Sequence, residues 1–302
     1  MSSEHNPSFA TTVVRHIKDH DIDIDTLKRG AKQLVRYIAT SHSEEASITE
    51  PIVYSDFLGH EGLTMVSYAM AGFLSNWTKH AIDIRLFMFP PSFRLNLDMA
   101  QESTDTEKYF VYNSQAVAAF HGPTFIGESG PSACVPNNGF MFEGVTYSPF
   151  MDTNPPGERR GAMIFHSNGS VELADDQKKW ELLSDPSGVK AISGTSDYIR
   201  TNDSIVSLKQ KDRPRHPTSF LLQEQNSNRF IYCPLYNPIS RPTILRLFQT
   251  LKSDFGLGEC MGVELEYNGA TGYIKGNRDP SILYAHPGHV GYKRMDHYYF
   301  TK

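Results

Sequence analysis

The sequence predicts an α+β fold: an antiparallel-rich mixed β-sheet core, a packed C-terminal helix and an N-terminal helical extension. Three observations carry this. Short apolar runs punctuated by turn residues recur from Ile52 to Tyr236. One strong helical pattern stands near the C-terminus, beginning after Ser240. Residues 1–45 carry apolar residues at helical spacing with no strand pattern. Helices grouped at the ends of an antiparallel strand series are the α+β arrangement.

In the N-terminal stretch Ala10, Val13, Val14 and Ile17 mark a short amphipathic helix. Asp23 or Asp25 caps a second, with Leu27, Ala31, Leu34, Val35 and Ile38 as its buried stripe. From Ile52 to Phe89 the pattern turns to strands. Ile82, Ile84, Leu86 and Met88 alternate with Asp83, Arg85, Phe87 and Phe89, which predicts a strand covered on both faces and stopped by Pro90-Pro91. The polar run Gln101–Lys108 reads as a surface loop and places a domain boundary there, giving an extension over 1–107 and an α+β domain over 108–302.

Residues 108–235 then read as short strands, among them KYFVY, GFMF, GVTYSP, AMIFH, SVEL, DYIR, TSFLLQ and RFIYCPLY. Ser167-Asn168-Gly169-Ser170 between AMIFH and VEL is a hairpin signal. For the C-terminal helix, Ser240 is the N-cap, Pro242 sits in the first turn, and Gly256 ends it. Ile244, Leu247, Phe248, Leu251 and Phe255 form its buried side. Asn268-Gly269 predicts a type I′ hairpin in which Leu265 pairs with Gly272 and Glu264 with Tyr273. Met261, Val263 and Leu265 would then face the helix, with Glu264, Glu266 and Thr271 on a solvated face. Residues 276–302 read as a loop and an aromatic tail.

Composition bounds the function. The chain has 302 residues, 39% hydrophobic and 21% charged, with a net charge of −5. Without a long Lys/Arg cluster it is a poor partner for nucleic acid or an anionic membrane. No apolar run is long enough for a spanning helix. The N-terminus MSSEHNPSFATTVV lacks the layout of a secretory signal, and three scattered cysteines suit a reducing compartment, so a cytoplasmic location is expected. Self-association is left open.

Four features could carry chemistry. Glu264 and Glu266, two apart on one strand, lie about 6.5–7 Å apart at their Cα atoms, a spacing that suits paired carboxylates as well as a wet sheet face. Asn137-Asn138-Gly139 forms a turn whose amides could meet hydroxyls. Arg215 and His216, ahead of a strand starting near Thr218, could receive a phosphate. His286-Pro287-Gly288-His289 brings two histidines together, but on a bent loop with no adjacent acid or thiol, which does not make a metal site. A glycine-rich phosphate loop, a GxSxG elbow and an HExxH helix are all missing, and no cofactor is expected.

The order of these pieces resembles the phosphodiester glycosidase (uncovering-enzyme-like) family over the C-terminal two-thirds. Asn137-Asn138-Gly139-Phe140-Met141-Phe142 looks like that family's Asn-Gly-Gly-Phe-Phe-like turn, and Ala162–Gly169 is similar to its strand and following Asp-Gly turn. His216-Pro217-Thr218 sits where an Arg-Thr pair opens a strand, and Glu264–Thr271 where the signature Asn-Leu-Asp-Gly-Gly-Gly-Ser ends the next. The resemblance implies hydrolysis of a sugar-1-phosphodiester or related glycosidic bond. In that activity Glu266, Glu264 and His216 would be catalytic, and Asn137, Asn138, Arg215, Thr218, Asn268, Gly269 and Thr271 would bind the sugar phosphate. The chain departs from the pattern where Glu264 replaces Asn, Glu266 replaces Asp and only Gly269 remains of three glycines. A non-catalytic interaction or assembly protein retaining the same fold is the alternative.

Overall fold

The structure is a computed structural model that describes residues 48–73, 79–123, 135–136, 138–150, 160–204, 218–225, 227–235, 239–265, 272–279, 283–286 and 293–302. Its elements in chain order are β1 (Ile52–Tyr54), β2 (Thr64–Phe73), β3 (Lys79–Phe89), β4 (Arg94–Asp105), α1 (Thr106–Tyr112), β5 (Ala118–Phe120), β6 (Phe140–Phe142), β7 (Val145–Ser148), β8 (Ala162–His166), β9 (Val171–Ala174), α2 (Asp176–Ser184), β10 (Val189–Gly194), β11 (Tyr198–Arg200), β12 (Thr218–Glu224), β13 (Phe230–Leu235), α3 (Arg241–Phe255), β14 (Cys260–Glu264), β15 (Gly272–Lys275), β16 (Leu283–His286) and β17 (Lys293–Thr301). The proposed N-terminal helices lie outside the described residues.

The strands form three antiparallel sheets, so the α+β class holds. The first runs β1-β2-β3-β13-β12-β14-β11, the second β7-β6-β10-β8-β9 and the third β16-β15-β5-β17-β4. One apolar core lies where they meet. It joins Phe87, Leu221 and Val263 of the first sheet to Phe140, Met163 and Ala191 of the second and Leu97, Phe120 and Phe300 of the third. Each sheet then buries its other face beneath one helix: α3 on the first, α2 on the second, α1 on the third. The three clusters beneath the helices are separate from the shared core, which is the layering expected of sheets apolar on both sides.

Local chemistry explains the elements that match expectation. The Ser240 hydroxyl accepts from the Thr243 amide, and Gly256 closes α3 in the left-handed region at φ 59°. Ile244, Leu245, Leu247, Phe248 and Leu251 are each at most 1% exposed. Their burial contributes on the order of 10 kcal/mol before ordering entropy is charged against it. In β3, Ile84 and Leu86 point to the α3 side while Phe87 and Phe89 enter the shared core, so the strand is covered on both faces. The β8–β9 hairpin forms around Asn168-Gly169 with Phe165 opposite Val171.

Other expectations are corrected. The β14–β15 hairpin does not form: β14 lies between β12 and β11, and β15 pairs with β5 and β16 in the third sheet. Both edges of β14 are occupied, and Gly272 instead presents its bare backbone to the Tyr232 ring, where an added Cβ would stand 2.5 Å from Cε1. The Asn268-Gly269 turn itself lies outside the described residues. Gln101–Lys108 is the end of β4 and the start of α1, not a loop, because Asp105 accepts from the amides of Glu107 and Lys108 and nucleates a helix. KYFVY is accordingly helical, with Phe110 buried beneath it. Strands before residue 107 share sheets with strands after it, as β3 pairs with β13 and β4 with β17. The C-terminal tail is two strands, β17 being central between β5 and β4.

Candidate functional site

At one end of the first sheet the first-turn arginine of α3 meets the carboxylate that ends β14 and one from the turn between β10 and β11. Glu264 ends β14 opposite Phe220 of β12, and its amide donates to the Asp197 carbonyl at 2.8 Å. Strand alternation decides where its side chain goes. Val263 and Leu265 fill the shared core, so Gly262 and Glu264 turn toward α3, and a Cβ on Gly262 would lie 3.1 Å from Phe248. This reverses the predicted faces: the acidic face meets the helix, and Glu264 is 2% exposed rather than solvated.

Buried there, the carboxylate is fully engaged. Thr218 donates to Oε1 at 2.8 Å, Ser196 donates to Oε2 at 3.0 Å, and Arg241 Nη2 donates to the same oxygen at 2.6 Å. Arg241 Nε reaches Asp197 Oδ2 at 3.1 Å, so one guanidinium edge serves two carboxylates. The guanidinium also sits 5.4 Å from the centre of the Phe220 ring. Asp197 is pinned in turn: its Oδ1 accepts from the Tyr198 amide at 2.8 Å, and its carbonyl accepts from the Thr195 hydroxyl.

The segment carrying Ser196 and Asp197 also leads to the asparagine turn. Gly194 N donates to Gly139 O at 2.8 Å, and Thr195 N donates to Gly161 O at 2.8 Å. Contact at Gly194 is so close that a Cβ would fall 2.2 Å from the Asn138 carbonyl oxygen, which only glycine permits. Asn138 Oδ1 accepts from Arg160 Nη1 at 3.3 Å. Three peptide steps separate Gly194 from Asp197, a span of at most ~11 Å.

Of the residues singled out in the sequence, the structure therefore brings Glu264 and Thr218 into contact and ties Asn138 to them through Gly194–Asp197. Asn137, Arg215, His216, Glu266, Asn268, Gly269 and Thr271 lie outside the described residues, as does His289. The pattern missed Ser196, Asp197 and Arg241. Arg241 did carry a signal: a cation in the first turn of a helix, with no acid beside it, opposes the helix dipole and implies a partner elsewhere. Among the described residues no cluster of three His, Cys, Asp or Glu could hold a metal ion, and no helix is long and apolar enough to cross a membrane. A groove of about 470 Å³ lies at the opposite end of the same strands, lined by Asp175, Arg200, Gln223, Glu224 and Met261 among others, and takes no residue from the Glu264 cluster.

No family model matches the chain, and no curated protein matches it. Among solved structures it is similar to the catalytic domain of zebrafish N-acetylglucosamine-1-phosphodiester α-N-acetylglucosaminidase, auto-inhibited by its pro-peptide, with a TM-score of 0.49 and 9% identity over 87% of this chain and 85% of that one. It is also similar to a hypothetical protein from Synechocystis, with a TM-score of 0.45 and 8% identity over 84% of this chain and 64% of that one. Neither likeness assigns a role to any residue of this chain.

Proposed function

We propose that the chain is a hydrolase that cleaves a sugar-1-phosphodiester or a related glycosidic bond at the Glu264 end of the first sheet. The observation that supports this most is the meeting there of a carboxylate pair, a guanidinium and two hydroxyls, with the segment Gly194–Asp197 running from them to the Asn138 turn. Glycoside cleavage draws on carboxylates held at fixed positions beside groups that bind hydroxyls. In this reading Asn137 or Asn138 meets the sugar, Arg215 and His216 meet the phosphate, and Glu266 remains a candidate partner for Glu264. The test is release of free sugar from a panel of glycosyl phosphodiesters and aryl glycosides by the wild type and by Glu264→Gln. A folded wild type that releases sugar, with the variant slowed by about 100-fold or more, supports the reading. Absence of release from every substrate refutes it.

A second reading, a non-catalytic interaction or assembly protein, is favoured by one observation: Glu264 is 2% exposed and occupied by three donors, as a structural ionic latch would be. It predicts that Glu264→Gln lowers the unfolding temperature and that the wild type turns over nothing.

A further inference from the structure

The groove at the far end of the first sheet does not stop at the residues named above. A second hollow, of about 270 Å³, adjoins it and is lined by Arg94, Asn168, Ser170 and Phe230 among others. Asn228 lines both, and Val171 in one is followed by Glu172 in the other, so the two form a single cleft along the outer edge of β9. From Ser170 to Asp175 that edge is ~17 Å long. Leu173, Met261 and Phe230 give the cleft an apolar floor beneath polar walls. The wall charges balance, with Glu172, Asp175 and Glu224 set against Lys178, Arg200 and Arg94. The three acids are already engaged: Arg200 Nη2 donates to Asp175 at 2.5 Å, Arg229 pairs with Glu224 at 3.3 Å, and Glu172 lies 3.4 Å from His166 Nε2. The Lys178 ammonium and the side-chain amides of Gln225 and Asn228 have no hydrogen-bond partner among the described residues.

This composition selects among ligand classes. Balanced charge gives no net attraction for a nucleic acid or a multiply charged anion. An extended peptide would add to the edge of β9, but Gln223 already takes two of the groups it would need, accepting from the Leu173 amide and donating to the Val171 carbonyl, both at 2.8 Å. A neutral ligand rich in hydroxyls meets neither obstacle. Each hydroxyl donates to a carboxylate or amide oxygen and accepts from an ammonium or amide N–H, so walls of mixed donors and acceptors suit it, while its C–H faces lie on the apolar floor. We propose that this cleft is a second site which binds a neutral oligosaccharide, with Lys178, Gln225 and Asn228 supplying the open polar contacts. No bond is made or broken there. The cleft shares no residue with the Glu264 cluster, so it binds the sugar chain whether or not the chain is a hydrolase.

Isothermal titration calorimetry of the full chain with maltopentaose, cellopentaose, chitopentaose and mannopentaose tests this. At least one is expected to bind with a dissociation constant of about 1 mM or tighter. Its affinity should change by less than about twofold on raising sodium chloride to about 0.5 M, because the ligand carries no charge to screen. Lys178→Ala and Asn228→Ala remove side chains that are not buried, and each is expected to weaken binding about tenfold with the unfolding temperature unchanged. Folded Glu264→Gln should bind as the wild type does. Failure of all four sugars to bind overturns the second site, as does binding that both cleft variants keep. Binding lost in Glu264→Gln but kept in the cleft variants places the sugar at the Glu264 cluster and overturns it equally. Inorganic phosphate and an octathreonine peptide are titrated alongside. If either binds in a way the cleft variants abolish, and no oligosaccharide does, the cleft belongs to an anion or an extended peptide and the proposal falls.

Discussion

Replacing Arg241 with Gln removes one charge from between two carboxylates, and the structure sets the size of the effect. The side chains of Glu264 and Asp197 are 2% and 8% exposed, and that of Arg241 is 17% exposed. Breaking a fully buried ion pair by removing one partner costs about 3–5 kcal/mol. Partial exposure of the guanidinium lets water reach the gap, which places this loss nearer ~2–4 kcal/mol. Removing a cation from the first turn of α3 relieves an unfavourable dipole interaction worth only ~0.3–1 kcal/mol, so destabilisation wins. At roughly 2–4 °C per kcal/mol the unfolding temperature should fall by about 5–15 °C. Adding Glu264→Gln removes one of the orphaned charges, so the double variant should cost less than the sum of the singles by ~1–3 kcal/mol. Urea unfolding of all four proteins measures this cycle. A loss below ~1 kcal/mol for Arg241→Gln, the range of a surface ion pair, or strict additivity in the cycle, would refute the buried bridge.

Three further outcomes are expected. Gly194→Ala forces a Cβ against the Asn138 carbonyl at 2.2 Å, so it should destabilise by ~1–3 kcal/mol or more and reduce sugar release, read by thermal unfolding and the phosphodiester assay together. Burial, with the Arg294 charge beside it, lowers the His297 pKa from 6.5 to about 4, so the unfolded chain binds this proton first as pH falls. Its contribution is complete above pH ~6.5 and is lost progressively toward pH ~4, up to roughly 3 kcal/mol; His297→Phe, which keeps the stack on Tyr109, should flatten the stability curve in that window. Gln223 accepts from the Leu173 amide and donates to the Val171 carbonyl, both at 2.8 Å, and so occupies the edge of β9 as a strand would; Gln223→Ala should cost ~2–3 kcal/mol and speed hydrogen exchange at the Leu173 amide.

What the chain discloses in advance depends on how far each decision reaches. Helix α3 was legible because its cap, its apolar stripe and its terminating glycine all lie within Ser240–Gly256 and act on one another through that backbone alone. The β8–β9 hairpin was legible for the same reason. Strand β17 was not: residues 276–302 read as a loop and an aromatic tail, yet Arg294 and Asp296 within the strand are 0% exposed, each satisfying the other across two residues at 3.0 and 2.8 Å. The pairing of β14 was equally hidden, since an Asn-Gly dipeptide favours a turn but cannot choose which sheet the next strand enters.

Glu264 combines both cases. Its chemistry was visible from its side chain and spacing, but its surroundings depend on an arginine 23 residues upstream and a threonine 46 residues upstream in the chain. Alternation assigns a carboxylate to water unless a partner is known, and here the partner was a cation sitting where the helix dipole disfavours it. An unfavourable local charge is thus a usable signal: Arg241 at the start of α3 is tolerated because Asp197 and Glu264 supply the compensation that the first turn lacks. Read together, a misplaced cation and a carboxylate facing a helix point to one another, and that pairing locates the site more closely than either residue does alone.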